Sequence, residues 1–373
     1  MNDLKRSLED LIDDTQLPSP PSMEDLRRRT GPRGHQVHPS RRLLAGIVTA
    51  IVVISGVVLA IAYGPRSSTS GPNPLATQPA SGPDVIALGS RISQPYVFAA
   101  SNGKLWVTGI SPDQGPASLQ EFDEDTGKVL STISLPDNWP GEIAVGDNAI
   151  WLRTQQGEES THLVKIDATT HQIVVNVTLQ KDGGLAVTSD AVWTINGSLG
   201  LLRIDPQTGK TIATIPLPGG LYAPLGVTSG PLGVFLGSSY DGSILRVDEQ
   251  TNTVSLVTHI GTKVDQMVEL GTSLWVSTGT ALVEMPVSTG VPGRTVELGA
   301  PILGLTTDGH SLWVLTDRPK LGAVRVDPTS GQLTPVALPA NVKDLFAVAS
   351  DPTTGETWAT ASSPNPSLLH IAP

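Results

Sequence analysis

The chain has 373 residues, a formal net charge of −11, 38 Gly, 31 Pro and no Cys. That punctuation excludes a helical bundle, and the missing thiols exclude a disulfide framework, a thiolate metal site and a Cys nucleophile. Beyond residue 42 acidic side chains outnumber basic ones 28 to 16, which excludes a nucleic-acid partner, because phosphate neutralisation needs clustered Lys and Arg.

Residues 1–42 read as a cytoplasmic tail, mostly disordered. Leu4, Leu8, Leu11 and Ile12 share one face of a short helix that Pro18, Pro20 and Pro21 end. It reads either as a docking helix for a cytoplasmic partner or as a nascent helix in a disordered tail. Arg27, Arg28, Arg29, Arg33, Arg41 and Arg42 then form a basic cluster directly before an uncharged apolar run, residues 43–63. At the α-helical rise that run spans about 31 Å, the thickness of a bilayer core, and predicts one transmembrane helix. The arginines place the N-terminus in the cytoplasm and everything after Tyr63 on the outer side of the cell membrane. A cleaved signal peptide, with Ala60-Ile61-Ala62 as its cleavage pattern, is the competing reading. The long preceding segment and the length of the run favour the anchor. Residues 64–83, rich in Pro, Ser and Gly, form a flexible linker with a reach on the order of 25 Å.

Residues 84–373 carry an internal repeat. Trp106, Trp151, Trp193, Trp275, Trp313 and Trp358 each end a short apolar lead that follows a turn of Gly, Asp, Asn or Ser. The long gap between Trp193 and Trp275 hides one degenerate copy. Matching Val227-Thr228-Ser229 to Val187-Thr188-Ser189 puts Gly233 where its Trp belongs. Between the tryptophans a second motif recurs, an Asp-led turn closing on Gly, Asn or His, as in Asp205-Pro206-Gln207-Thr208-Gly209 and Asp327-Pro328-Thr329-Ser330-Gly331. Asp accepting backbone N–H groups beside a residue able to take positive φ is hairpin chemistry. Each repeat therefore predicts four short strands, and such units at a period near 42 residues are propeller blades. The expected fold is all-β, a seven-bladed β-propeller. The last copy lacks a fourth strand, and residues 84–89 match that missing strand, so an N-terminal strand is expected to complete the ring and remove an exposed edge.

The segments 308–339 (DGHSLWVLTDRPKLGAVRVDPTSGQLTPVALP) and 201–218 (LLRIDPQTGKTIATIPLP) resemble the virginiamycin B lyase (streptogramin lyase) family and the related YVTN-repeat family. The resemblance covers about residues 84–373 and lies in the scaffold grammar. It implies a propeller and, for an enzyme of lyase type, magnesium-dependent elimination of a cyclic ester or lactone with a His base on one face. No Glu-x-His or paired His/Glu pattern recurs in the inner loops to take those roles. The D-x-x-TGK turns also resemble those of quinoprotein propellers. The strands after Lys128 and Lys210 end without the docking Trp, so no quinone cofactor is expected.

Binding is expected on the rim built by the connections from outer to next inner strand and from second to third strand. Trp139, Glu142, Tyr222, Tyr240, Asp265, Gln266, Lys343 and Asp344 are the candidate binding residues there, aromatic and charged side chains in loops. Glu142 with Asp265 and Gln266 offers oxygens for a possible divalent cation at the channel mouth, and no other cofactor is expected. The favoured function is a membrane-anchored, extracytoplasmic propeller that binds a peptide, glycan or partner protein as sensor or scaffold. The lyase-like enzyme is the alternative.

Overall fold

A computed structural model of the protein describes residues 84–371 except 147, 158–159, 181–182, 219–224 and 319. The tail, the apolar run 43–63 and the linker lie outside the described residues. Among the described residues no helix is long and apolar enough to cross a membrane.

Seven antiparallel four-stranded sheets follow one another along the chain. Blades 1 to 6 span 94–134, 139–179, 185–215, 225–259, 266–297 and 302–336, each with its strands paired in chain order. Blade 7 takes three strands from 348–370 and its fourth from Val85–Ala87, which pairs antiparallel with Ser367–His370. This is a seven-bladed β-propeller. A four-stranded meander puts two kinds of connection at each end. The rim face carries the outer-to-inner connections and the loops between second and third strands. The turn face carries the two tight hairpins of each blade. Val85 pairs with Leu369 and Ala87 with Ser367, so the chain enters the ring from the turn face.

The repeat aromatic sits on the second strand of every blade and explains the period. Trp106, Trp151, Trp193, Trp275, Trp313 and Trp358 are at most 3 % exposed. Each buries on the order of 150–250 Å² against the next sheet, about 4–6 kcal/mol of transfer free energy as an upper bound. The degenerate copy corrects the sequence reading. Trp193 pairs with Ala186 in blade 3, and the equivalent pair in blade 4 is Phe235 with Thr228. Phe235, fully buried, is thus the seventh aromatic, and Gly233 lies two residues earlier in the hairpin at φ 125°. The shared Val-Thr-Ser run misaligns the two copies by two residues. Pairing of Ser229 with Val234 fixes the true register.

Opposite each aromatic the third strand places a long polar side chain, and in blades 1, 2 and 3 it ties one blade to the next. Arg203 lies 5.2 Å over the Trp193 ring and donates to Glu249 O of blade 4 at 2.6 Å. Lys165 lies 5.7 Å over Trp151 and donates to Pro206 O of blade 3 at 2.7 Å. In blade 1 the partner of Trp106 is Glu121, which meets His171 Nε2 of blade 2 at 2.8 Å. Each cation over a ring adds roughly 0.5–1 kcal/mol. The Asp-led turns behave as their chemistry dictates. Asp205 Oδ1 accepts the N–H groups of Gln207 and Thr208, both at 2.8 Å, and these bonds hold its carboxyl below the usual range. The chain then turns back through Gly209 at φ 69°.

Candidate functional site

Trp139 opens the inner strand Trp139–Gly146 of blade 2, and the loop before it is fixed from below. Asp137 is 1 % exposed, and its Oδ2 receives the Thr154 hydroxyl at 2.6 Å and faces His162 Nδ1 at 2.7 Å. The backbone of Asp137 and Leu135 bonds to Ala117 of blade 1, at 2.9 Å each. With Asp137 anchored inward, Trp139 is left on the rim, 47 % exposed, against at most 3 % for the six repeat tryptophans. Its ring stands edge-on to Tyr96 of blade 1, with centroids 6.5 Å apart and planes at 74°.

Glu142 and Gln266 occupy one register position. Glu142 lies two residues before Ala144, the partner of Trp151, and Gln266 lies two before Val268, the partner of Trp275. The same position in the other blades holds Val97, Gly184, Gly226, Gly304 and Ala347, so these two are its polar occupants. Both side chains are engaged, Gln266 directly with the next blade and Glu142 with Arg153 of its own blade. Glu142 pairs with Arg153 Nε at 3.4 Å. The Arg153 guanidinium in turn donates to Thr194 Oγ1 at 2.6 Å, Ile195 O at 2.8 Å and Gln180 O at 3.3 Å, all in or beside blade 3. Gln266 Nε2 donates to Leu303 O of blade 6 at 3.0 Å. Asp265 meets Lys263 Nζ at 2.9 Å and accepts Gly279 N–H at 2.9 Å. Among the described residues no three His, Asp or Glu side chains form a group that could hold a metal ion.

Among the described residues Tyr240 is the most exposed of the rim aromatics, at 76 %, on the loop joining the second and third strands of blade 4. Beside it Asp241 accepts the N–H and hydroxyl of Ser243 at 3.0 and 2.7 Å. Hydrogen bonds from Ser238 and Ser243 pull its carboxyl down to about 2, which keeps it charged. Asp344 braces a loop of blade 7, accepting Ser362 N–H, Ser362 Oγ and Ser363 N–H at 3.0, 3.0 and 2.9 Å, and Lys343 beside it is exposed. Tyr222 lies outside the described residues. The rim residues are thus distributed around the ring, with Trp139 and Tyr96 together at the junction of blades 1 and 2.

Tyr96, His162 and Arg153 escape the sequence reading. Arg153 had a usable signal. Two residues after the repeat aromatic the seven copies read Thr108, Arg153, Ile195, Gly237, Ser277, Leu315 and Thr360, with one charge among them.

No protein-family model and no curated protein matches the sequence. The fold is shared. A chain in the crystal structure of a Mitotic Checkpoint Complex superposes with a TM-score of 0.63 over 84 % of this chain and 99 % of that one, at 14 % identity. At that identity the likeness speaks for the fold alone.

Proposed function

We propose that the protein is a membrane-tethered, extracytoplasmic propeller that binds a ligand or partner protein through its rim face. Support for the tether is the Arg-flanked apolar run 43–63, and support for the outer location is the arginine cluster before it. Strand Val85–Ala87 serves as the clasp that completes blade 7 and leaves that sheet's edge covered. The single observation that carries the binding reading is Trp139. Propeller tryptophans here are core residues, and this one stands half out of the rim with Tyr96 beneath it, an arrangement that presents apolar area to a partner.

Site-specific photocrosslinking on intact cells tests this reading. A photoreactive residue replacing Trp139 gives a discrete adduct, whereas the same residue replacing Lys210 on the turn face gives none. Equal labelling at both positions, or none at either, overturns it. A magnesium-dependent rise in melting temperature of the full chain would instead favour the lyase-like reading.

A further inference from the structure

The outer strands of blades 1, 2 and 3 share a β-bulge at one register position, close to the turn face. Phe122 pairs with Val129 and Glu121 with Ser131, which leaves Leu130 as the extra residue. Val174 is skipped in the same way between Ile173 and Val175, and Ile212 between Thr211 and Ala213. These three are 46, 53 and 51 % exposed. Val129 and Ile173 just before two of them are exposed too, so the usual alternation of inward and outward side chains fails there. Val85, on the clasp strand of neighbouring blade 7, is also exposed. The same position in blades 4 and 6 holds Ser255 and Thr334, with no bulge at that point. The far arc keeps scattered exposed aliphatics, Leu256, Val291 and Leu333, none of them a bulge residue.

We infer that this arc of aliphatic bulges rests on the surface of the lipid bilayer. The inference rests on the tether proposed above and adds how the propeller lies against its membrane. Single exposed aliphatics are ordinary on a protein surface; recurrence at one bulge of three successive blades marks a shared burial partner. The position of the tether says which. The chain enters the ring at Asp84, on the turn face and beside Val85, and the linker 64–83 has a reach on the order of 25 Å. The perimeter next to the entry point is the one that carries the aliphatics. So short a tether keeps the lipid surface at a high effective concentration, and a few side chains then suffice where they would not bring a free protein to lipid. The bulges also argue against a strand of another protein as occupant. Their extra residues interrupt the row of edge N–H and C=O groups that such a strand would have to pair. Beyond residue 42 acidic side chains outnumber basic ones, so the contact is apolar and does not draw on anionic headgroups.

The chain has no cysteine, so single introduced cysteines carry a nitroxide label at chosen sites. Leu130→Cys, Val174→Cys and Ile212→Cys are compared with Ser255→Cys and Thr334→Cys in the full chain, reconstituted in phosphatidylcholine vesicles. All five positions are exposed, so the label leaves the fold intact. Collision with oxygen, which concentrates in lipid, relative to a water-soluble nickel chelate is several-fold greater at the first three than at the other two. Adding Val174→Asp lowers that ratio at the Ile212 label towards the Ser255 value. Equal, nickel-dominated accessibility at all five positions overturns the inference. So does shielding from both reagents that disappears on dilution with unlabelled chain, which would make a second copy the occupant. Release of the chain from the vesicles by alkaline carbonate overturns the tether and this inference with it. A retained chain with water-exposed labels overturns the perimeter contact alone.

Discussion

The carboxylate of Glu124 in blade 1 accepts the indole N–H of Trp358 in blade 7 at 3.0 Å. Thr354 donates to its other oxygen at 2.9 Å, and Asp351 of the same turn accepts Gly103 N–H of blade 1 at 2.7 Å. Behind Trp358, the His370 ring lies 4.6 Å away, and its Nε2 bonds Glu356. The junction between the first and last blades is therefore polar where blades 2, 3, 4 and 6 place a cation over an aromatic ring.

That junction responds to pH. Burial pushes the Glu124 carboxyl up to about 7, the neighbouring charge of Asp351 and Glu356 adds to this, and the bonds from Thr354 and Trp358 oppose it. A carboxyl that holds its proton more tightly folded than unfolded stabilises the fold most in acid, near its ordinary value of 4.5 and below. The contribution is lost as pH rises through about 7. Glu269, also raised to about 7 by burial, gives a second dependence of the same sign. The melting temperature should fall from about pH 5.5 to about pH 8, and Glu124→Gln should remove a large part of that fall. Parallel curves for wild type and variant would show that Glu124 is not the group responsible.

Arg153 should prove structural. It is 4 % exposed and is shared by Glu142 and three acceptors around blade 3, so removing it takes a cation from a half-buried carboxylate and donors from a hydroxyl and two carbonyls. Arg153→Ala should cost about 3–5 kcal/mol in urea unfolding, and adding Glu142→Gln should recover part of it. A loss under about 1 kcal/mol would mean that water satisfies these groups.

The turn glycines separate backbone strain from blade contact. A Cβ on Gly355, at φ 81°, meets nothing within 4 Å, so Gly355→Ala should cost only the strain of that conformation, about 1 kcal/mol. A Cβ on Gly209, at φ 69°, would lie 2.4 Å from Cγ1 of Val175 in the outer strand of blade 2. Gly209→Ala should therefore cost more, about 2–3 kcal/mol, by the same denaturant measurement.

Trp139 and Trp193 should diverge. Trp193→Ala empties a fully buried site and should cost about 3–5 kcal/mol. Trp139→Ala should change stability by about 1 kcal/mol or less and act on partner binding instead. A large stability loss at Trp139 would make it a cover for the blade core and remove its support for a rim site.

How much was legible follows from what repeats. Copies of one unit expose the scaffold, because burial of an aromatic against the next sheet selects Trp at one position in six copies and Phe235 in the seventh; the blade number and the Asp-led turns came from that. The fourth copy misled because Val-Thr-Ser is common in strands, and its identity outweighed the hairpin register that places Phe235. The rim is harder for the opposite reason. Its residues occur once, and a single residue does not announce its direction. The expected grouping of Glu142, Asp265 and Gln266 rests on position alone: Glu142 and Gln266 share a register position, yet Arg153 and Leu303 O engage their side chains and Lys263 engages Asp265. Only the copy-by-copy comparison that isolates Arg153 would have shown this.

The clasp has a mechanical side. Any tension reaching residue 84 along the N-terminal segment falls first on three residues, Val85–Ala87, held by pairing to one neighbouring strand. The six other outer strands belong to hairpins in their own blades and bear none of that load directly. Force would peel blade 7 before it disturbs another sheet. The propeller is therefore weakest under pull at the one place where its first and last blades meet.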